Sequence, residues 1–118
     1  FVDEDFAQEQ YARLKENFYQ KHPITGFKEY YDRKCRIGFD IDAGPIIFNL
    51  SPTGTAFGIG PATYFEDYET RKELLNTAEL AGFTVNNNKY RHYLLADIAL
   101  VGEAITLAMR TARKWNIE

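Results

Sequence analysis

Apolar positions recur at helical spacing near the start of the chain: Ala7, Tyr11, Leu14 and Phe18 follow one another at intervals of four, three and four, which places them on one face of a helix. Asp3, Glu4 and Asp5 suit its N-terminus, Lys21 and His22 suit its C-terminus, and Pro23 stops it, so the pattern predicts an amphipathic helix over residues 3–21. Over residues 36–42 the period changes to two. Ile37, Phe39 and Ile41 alternate with Arg36, Gly38, Asp40 and Asp42, the signature of a half-buried strand whose isoleucines and phenylalanine face the core. After Gly44-Pro45, residues 45–50 form a second β candidate with Ile46, Phe48 and Leu50 facing one way. Ser51-Pro52-Thr53-Gly54 reads as a turn, and residues 55–60 as the return arm of a hairpin with Phe57 and Ile59 on one face.

The helical period then returns. Tyr64, Phe65, Tyr68, Leu74, Leu75, Ala78, Leu80 and Ala81 predict a second helix over residues 66–81, which Gly82 ends as a cap. Leu94, Ile98, Val101, Ile105, Ala108 and Ala112 form a stripe of fours and threes, and Tyr93, Leu100, Ala104 and Leu107 add a flanking patch, so the last helix is expected to be central and to touch two neighbours. Residues 89–93 read alternatively as a strand. The order α-β-β-β-α-α predicts an α+β fold: a three-stranded antiparallel meander packed by three helices. With 118 residues and no repeat or low-complexity stretch, one domain over 1–118 is expected.

Composition narrows the class. Apolar residues are 45% of the chain and charged residues 26%, a globular balance unlike that of disordered sequences. No apolar run approaches the roughly 20 residues of a membrane helix, and the acidic N-terminus is unlike a signal peptide, so no membrane partner is expected. The chain begins at Phe1 rather than methionine, from which a preceding segment is expected. Cys35 is the single cysteine, which precludes an intramolecular disulfide and favours a cytoplasmic location. A formal charge of −3 disfavours nucleic acid as a partner.

Several residues carry candidate chemistry. Asp40 and Asp42 project from the same face of a strand and can share a divalent cation, but no third ligand accompanies them and a solvated outer face explains them better. Gly54, Gly58 and Gly60 lack the Gly-Lys-Ser/Thr ending of a phosphate loop and are better read as positions of close packing. Cys35 with His22 or His92 forms no recognisable nucleophile–base signature. Asp97 falls between the apolar faces of the last helix and is read as a buried carboxylate with a structural partner, or else as a catalytic or ligand-orienting group. No cofactor is called for.

Residues 77–87, Thr-Ala-Glu-Leu-Ala-Gly-Phe-Thr-Val-Asn-Asn, locally resemble the helix-turn-helix of bacterial repressors. That resemblance implies a DNA reader with Asn86, Asn87, Lys89 and Arg91 toward the major groove. It departs from the pattern at Asn86-Asn87-Asn88, where the second helix needs an apolar residue, and a helix ending at Gly82 explains the same letters.

Eight tyrosines remain, several at expected surface edges, and tyrosine offers stiff contact area with a polar tip. Together with the mild acidity they favour a protein-binding module, of the inhibitor or immunity type, that covers a basic enzyme or toxin. Its expected contact residues are Asp3, Glu4, Asp5, Tyr30, Tyr31, Tyr64, Glu66, Asp67 and Tyr68. The alternative is a small enzyme or ligand-binding domain using Asp97 or the Asp40/Asp42 pair.

Overall fold

The computed structural model describes residues 3–32, 37–40, 44–82, 84–86, 91–93 and 100–113. Helices and antiparallel strand pairs make it an α+β chain that divides into two compact units, Phe1–Thr55 and Ala56–Glu118.

The first unit opens with α1 (Glu4–Phe18). Asp3 caps it, accepting a hydrogen bond from the Phe6 N–H on Oδ1 at 2.9 Å, and Glu4 and Asp5 lie in the first turn, where negative charge suits the exposed N–H groups. The face drawn from the spacing is the inward one: Tyr11 is buried and Ala7, Leu14 and Phe18 are half-buried. The helix stops earlier than Pro23 dictates, because residues 19 and 20 become β1 (Tyr19–Gln20) and pair antiparallel with β2 (Gly26–Phe27). Lys21 and His22 therefore lie beyond the helix, in the connection between the two strands.

Next come β3 (Ile37–Asp40) and β4 (Gly44–Ile47), an antiparallel hairpin. No third strand joins it among the described residues. The expected return arm is instead helical: α2 runs Pro52–Tyr64. Ser51 is its N-cap, with Oγ accepting from the Gly54 N–H at 3.0 Å and its carbonyl from the Thr55 N–H at 2.8 Å, and Pro52 occupies the first helical position, where a missing N–H costs nothing. Serine followed by proline opens a turn or a helix equally well, and the cap decided for the helix. Phe57 and Ile59, side by side on a strand, stand about 200° apart on a helix. Phe57 is accordingly 48% exposed and Ile59 fully buried.

The core of the first unit gathers around Phe27, with Tyr11, Ile46 and Leu50, all at most 8% exposed. Phe27 gives its N–H to Thr55 Oγ1 (3.1 Å) and takes the Ser51 N–H on its carbonyl (2.9 Å). Gly26 sits in the same crush: a Cβ there would stand 2.7 Å from Thr55 Oγ1 and 2.9 Å from Leu50 Cδ2.

In the second unit α2 ends in a Schellman motif. The Asp67 N–H reaches the Ala62 carbonyl (2.9 Å), the Glu66 N–H reaches Thr63 (3.3 Å), and Glu66 holds φ at 58° where glycine is usual. Asp67 then caps α3 (Tyr68–Gly82), its Oδ1 accepting from the Thr70 N–H at 3.2 Å. Thr70 and Leu74 are buried, whereas Tyr68 and Leu80 are more than 60% exposed. Gly82 is the last helical residue rather than a cap beyond it.

Behind it β5 (Thr84–Asn86) pairs antiparallel with β6 (Arg91–Tyr93). This overturns the helix-turn-helix reading locally, since Asn86 is in a strand where a recognition helix would begin; Asn87 and Lys89 lie outside the described residues. Tyr93 likewise belongs to β6 and not to the last helix, α4, which runs Leu100–Arg110. Leu94, Asp97 and Ile98 lie outside the described residues. Within α4 Thr106 is buried and Ile105 and Met109 are half-buried, while Ala104 and Leu107 of the flanking patch and Ala108 of the stripe are exposed. Gly60 is a position of close packing, but against a helix: its Cβ would stand 2.5 Å from Met109 Sδ.

Two substitutions of opposite sign test this account. Gly26→Ala is expected to lower stability by about 1–3 kcal/mol, because Leu50 and Thr55 must both give way. Glu66→Gly is expected to raise it by roughly 0.5–1 kcal/mol by removing the Cβ penalty of the left-handed position. Urea midpoints of the two variants against the parent chain check both.

Candidate protein-binding face

In an antiparallel pair, directly opposed residues share a face of the ribbon. The register of the hairpin is Ile37↔Ile47, Gly38↔Ile46, Phe39↔Pro45 and Asp40↔Gly44. One face therefore carries Gly38 and Ile46, and Ile46 is 2% exposed. The other carries Ile37, Phe39, Pro45 and Ile47. Ile37 is 83% exposed, Phe39 78% and Ile47 49%, and Pro45 is exposed as well.

The alternation correctly puts Ile37 and Phe39 on one side, but that side faces outward. The reason lies in the partner strand: Ile46 projects to the opposite face and fills the core with Leu50, and the pairing register then leaves Ile37 and Phe39 nowhere to go but out. Ile41 and Asp42 lie outside the described residues.

A tight turn follows β4. Phe48 and Asn49 hold φ at 53° and 68°, and the Leu50 N–H donates to the Ile47 carbonyl at 3.0 Å, the arrangement of a type I′ turn. Gln20 Nε2 donates to the Phe48 carbonyl (2.8 Å) and the Glu29 N–H to the Asn49 carbonyl (3.0 Å). Phe48, expected on the buried side with Ile46 and Leu50, is 42% exposed because the turn reverses the chain beneath it.

The residues expected to make contacts are spread over several places. Asp3, Glu4 and Asp5 are exposed at the start of α1, with Asp3 also engaged as its cap. Tyr30 is half-buried and Tyr31 exposed in the segment after β2; the Tyr31 ring lies 6.1 Å from that of Phe18 and 5.9 Å from Lys28 Nζ. Tyr64 is half-buried, edge-on to Phe65 at 5.0 Å, and with Glu66, Asp67 and Tyr68 it forms the α2–α3 junction, where two of the three polar groups set helix ends. The structure thus brings Glu66, Asp67 and Tyr68 together, but largely through the needs of the helices.

Of the remaining candidates, Asp40 is in β3 and His92 in β6, His22 is exposed, and Cys35 and Asp97 lie outside the described residues. Among the described residues no group of three or more His, Cys, Asp or Glu is placed to hold a metal, and no helix is long and apolar enough to cross a membrane. The spacing alone does not single out the outer hairpin face as a candidate. Its signal was present: β4 reads Gly-Pro-Ile-Ile, apolar on both faces, which a one-sided strand does not need.

If the two faces differ as described, Phe39→Ser changes stability by no more than about 0.5 kcal/mol, whereas Ile46→Ala costs about 2–5 kcal/mol. Phe39→Ser also lowers the fluorescence of a surface-binding hydrophobic dye, which Ile46→Ala does not. No protein-family model, curated protein or solved structure matches this chain.

Proposed function

We propose that this chain is a protein-binding module whose contact surface is the outer face of the β3–β4 hairpin. The observation that carries the reading is the cross-strand grouping of Ile37, Phe39, Pro45 and Ile47, all exposed and none charged. Single exposed apolar side chains are ordinary; four adjoining ones on one ribbon face mark a surface that is covered in use.

The finer version, an inhibitor or immunity-type protein covering a basic enzyme or toxin, draws on the exposed Asp3, Glu4 and Asp5 at the start of α1. In that version carboxylates steer the encounter and the apolar face supplies the lasting contact. No observation favours the enzyme reading over this one.

The test is recovery of the tagged chain from its own cells with identification of co-purifying proteins, run in parallel with Phe39→Ser and with Leu107→Ser as an unrelated exposed position. A stoichiometric partner retained by the parent and by Leu107→Ser but lost with Phe39→Ser supports the reading. A partner held equally by all three removes the hairpin face, and no partner at all removes the binding function. For the inhibitor version, the association rate should fall as salt is raised from about 50 to 300 mM; a rate indifferent to salt removes the basic partner.

A further inference from the structure

Met109 is the single methionine of the chain, and it stands where α4 meets α2 within the second unit. Its side chain lies along Gly60. A Cβ built on that glycine would stand 2.5 Å from Sδ, 3.7 Å from Cγ and 3.9 Å from Cβ of Met109, so the sulfur is the atom pressed closest to the α2 backbone. Gly60 is itself buried, as are Gly58, Ile59 and Ala62 around it, so this stretch of α2 belongs to the inside of the unit.

Met109 is at once seated and reachable. It is half-buried, and the residues next to it, Ala108, Arg110 and Thr111, are exposed, which places it at the rim of the contact. A thioether suits this place when reduced, because its polarisable sulfur packs as an apolar group. The same sulfur is open to oxidation. Peroxide gives it one oxygen atom: the O–O bond breaks, the S–O bond forms, the sulfur loses two electrons, and the peroxide is reduced to water. The sulfoxide carries a strong hydrogen-bond acceptor. The α2 backbone beneath has no donor for it, since Gly60 spends its N–H inside the helix and Pro61 has none.

We propose that the Met109–Gly60 contact is a redox-sensitive joint: peroxide converts Met109 to its sulfoxide in the folded protein and loosens α4 from α2, and enzymatic reduction of the sulfoxide restores the packing. A polar group pressed into a buried seat without a donor is unfavourable, and a glycine seat has no side chain that could turn to meet it. The joint does not depend on what the hairpin face binds.

The test treats the folded parent chain and Met109→Leu with hydrogen peroxide, maps the oxygen uptake by peptide mass, and compares urea midpoints before and after. Leucine keeps the apolar volume without the oxidisable sulfur. Cys35 is present in both chains, so its own oxidation cancels in the comparison. The parent is expected to take one oxygen at Met109 and to lose about tenfold in its folding equilibrium constant. Methionine sulfoxide reductase should restore its midpoint and dithiothreitol should not, while Met109→Leu keeps its own midpoint in peroxide. Met109→Gln, which sets a polar group at the same place without any oxidant, should be destabilised to a similar degree. Four results would each overturn the joint. Oxygen uptake at Met109 in urea but not in the folded chain shows the sulfur to be sealed. An oxidised chain with an unchanged midpoint shows that the seat accepts the sulfoxide. An equal loss in Met109→Leu moves the effect to another residue, and a Met109→Gln midpoint equal to the parent's removes the polarity argument.

Discussion

The backbone of Phe27 is the point on which the first unit turns. Its N–H and carbonyl are bound on either side of the start of α2, to Thr55 Oγ1 and to the Ser51 N–H, while its ring lies 5.4 Å from that of Tyr19 across the β1–β2 pair. One residue therefore ties a strand pair to the beginning of a helix. At 2% exposure neither backbone group has water to fall back on, so losing either partner would cost the desolvation of a buried polar group and not merely one bond. Gly26 follows from the same constraint. The approach that lets Phe27 reach Thr55 leaves no volume for a Cβ one residue earlier.

The hairpin inherits its orientation from this arrangement. Leu50 lies inward against Gly26, and Ile46 on the preceding strand is buried as well. Register then transmits the choice across the ribbon: Gly38 opposes Ile46 and faces in, and Ile37 and Phe39 oppose Ile47 and Pro45 and face out. The apolar surface is thus a consequence of where the core was seated. That these outward positions are isoleucine and phenylalanine is what the core does not explain.

Periodicity gave the relative phase of side chains well and their absolute direction poorly. The inward stripe of α1 was legible because its opposite face is charged, with Glu4, Asp5, Glu9 and Arg13 exposed. Where both faces are apolar or small the same reasoning lost its reference. In α2 the letters Phe-Gly-Ile-Gly suit an alternating strand as well as a helix, and only the Ser51 cap, a pairing between atoms, separates them. In α4 the inward direction centres near Thr106 and Met109, beside the stripe of aliphatics, with Met109 filling the space that Gly60 leaves. Two of the expected contact acids, Asp3 and Asp67, also hold the positions of helix caps.

Among the described residues, two besides Asn49 sit in left-handed backbone against their own preference, and they differ in an instructive way. At Glu66 the strain has a complete structural account, since the Schellman motif demands a positive φ at that position whatever residue occupies it, and the glutamate simply bears the penalty of having a Cβ. Its side chain is exposed. At Phe48 the turn makes the same demand, but the residue supplied is among the least suited to meet it, and it is 42% exposed. A charged residue in a strained cap is solvated and costs only its backbone conformation. An aromatic residue in a strained turn, partly in water, bears a penalty in backbone and in solvation alike.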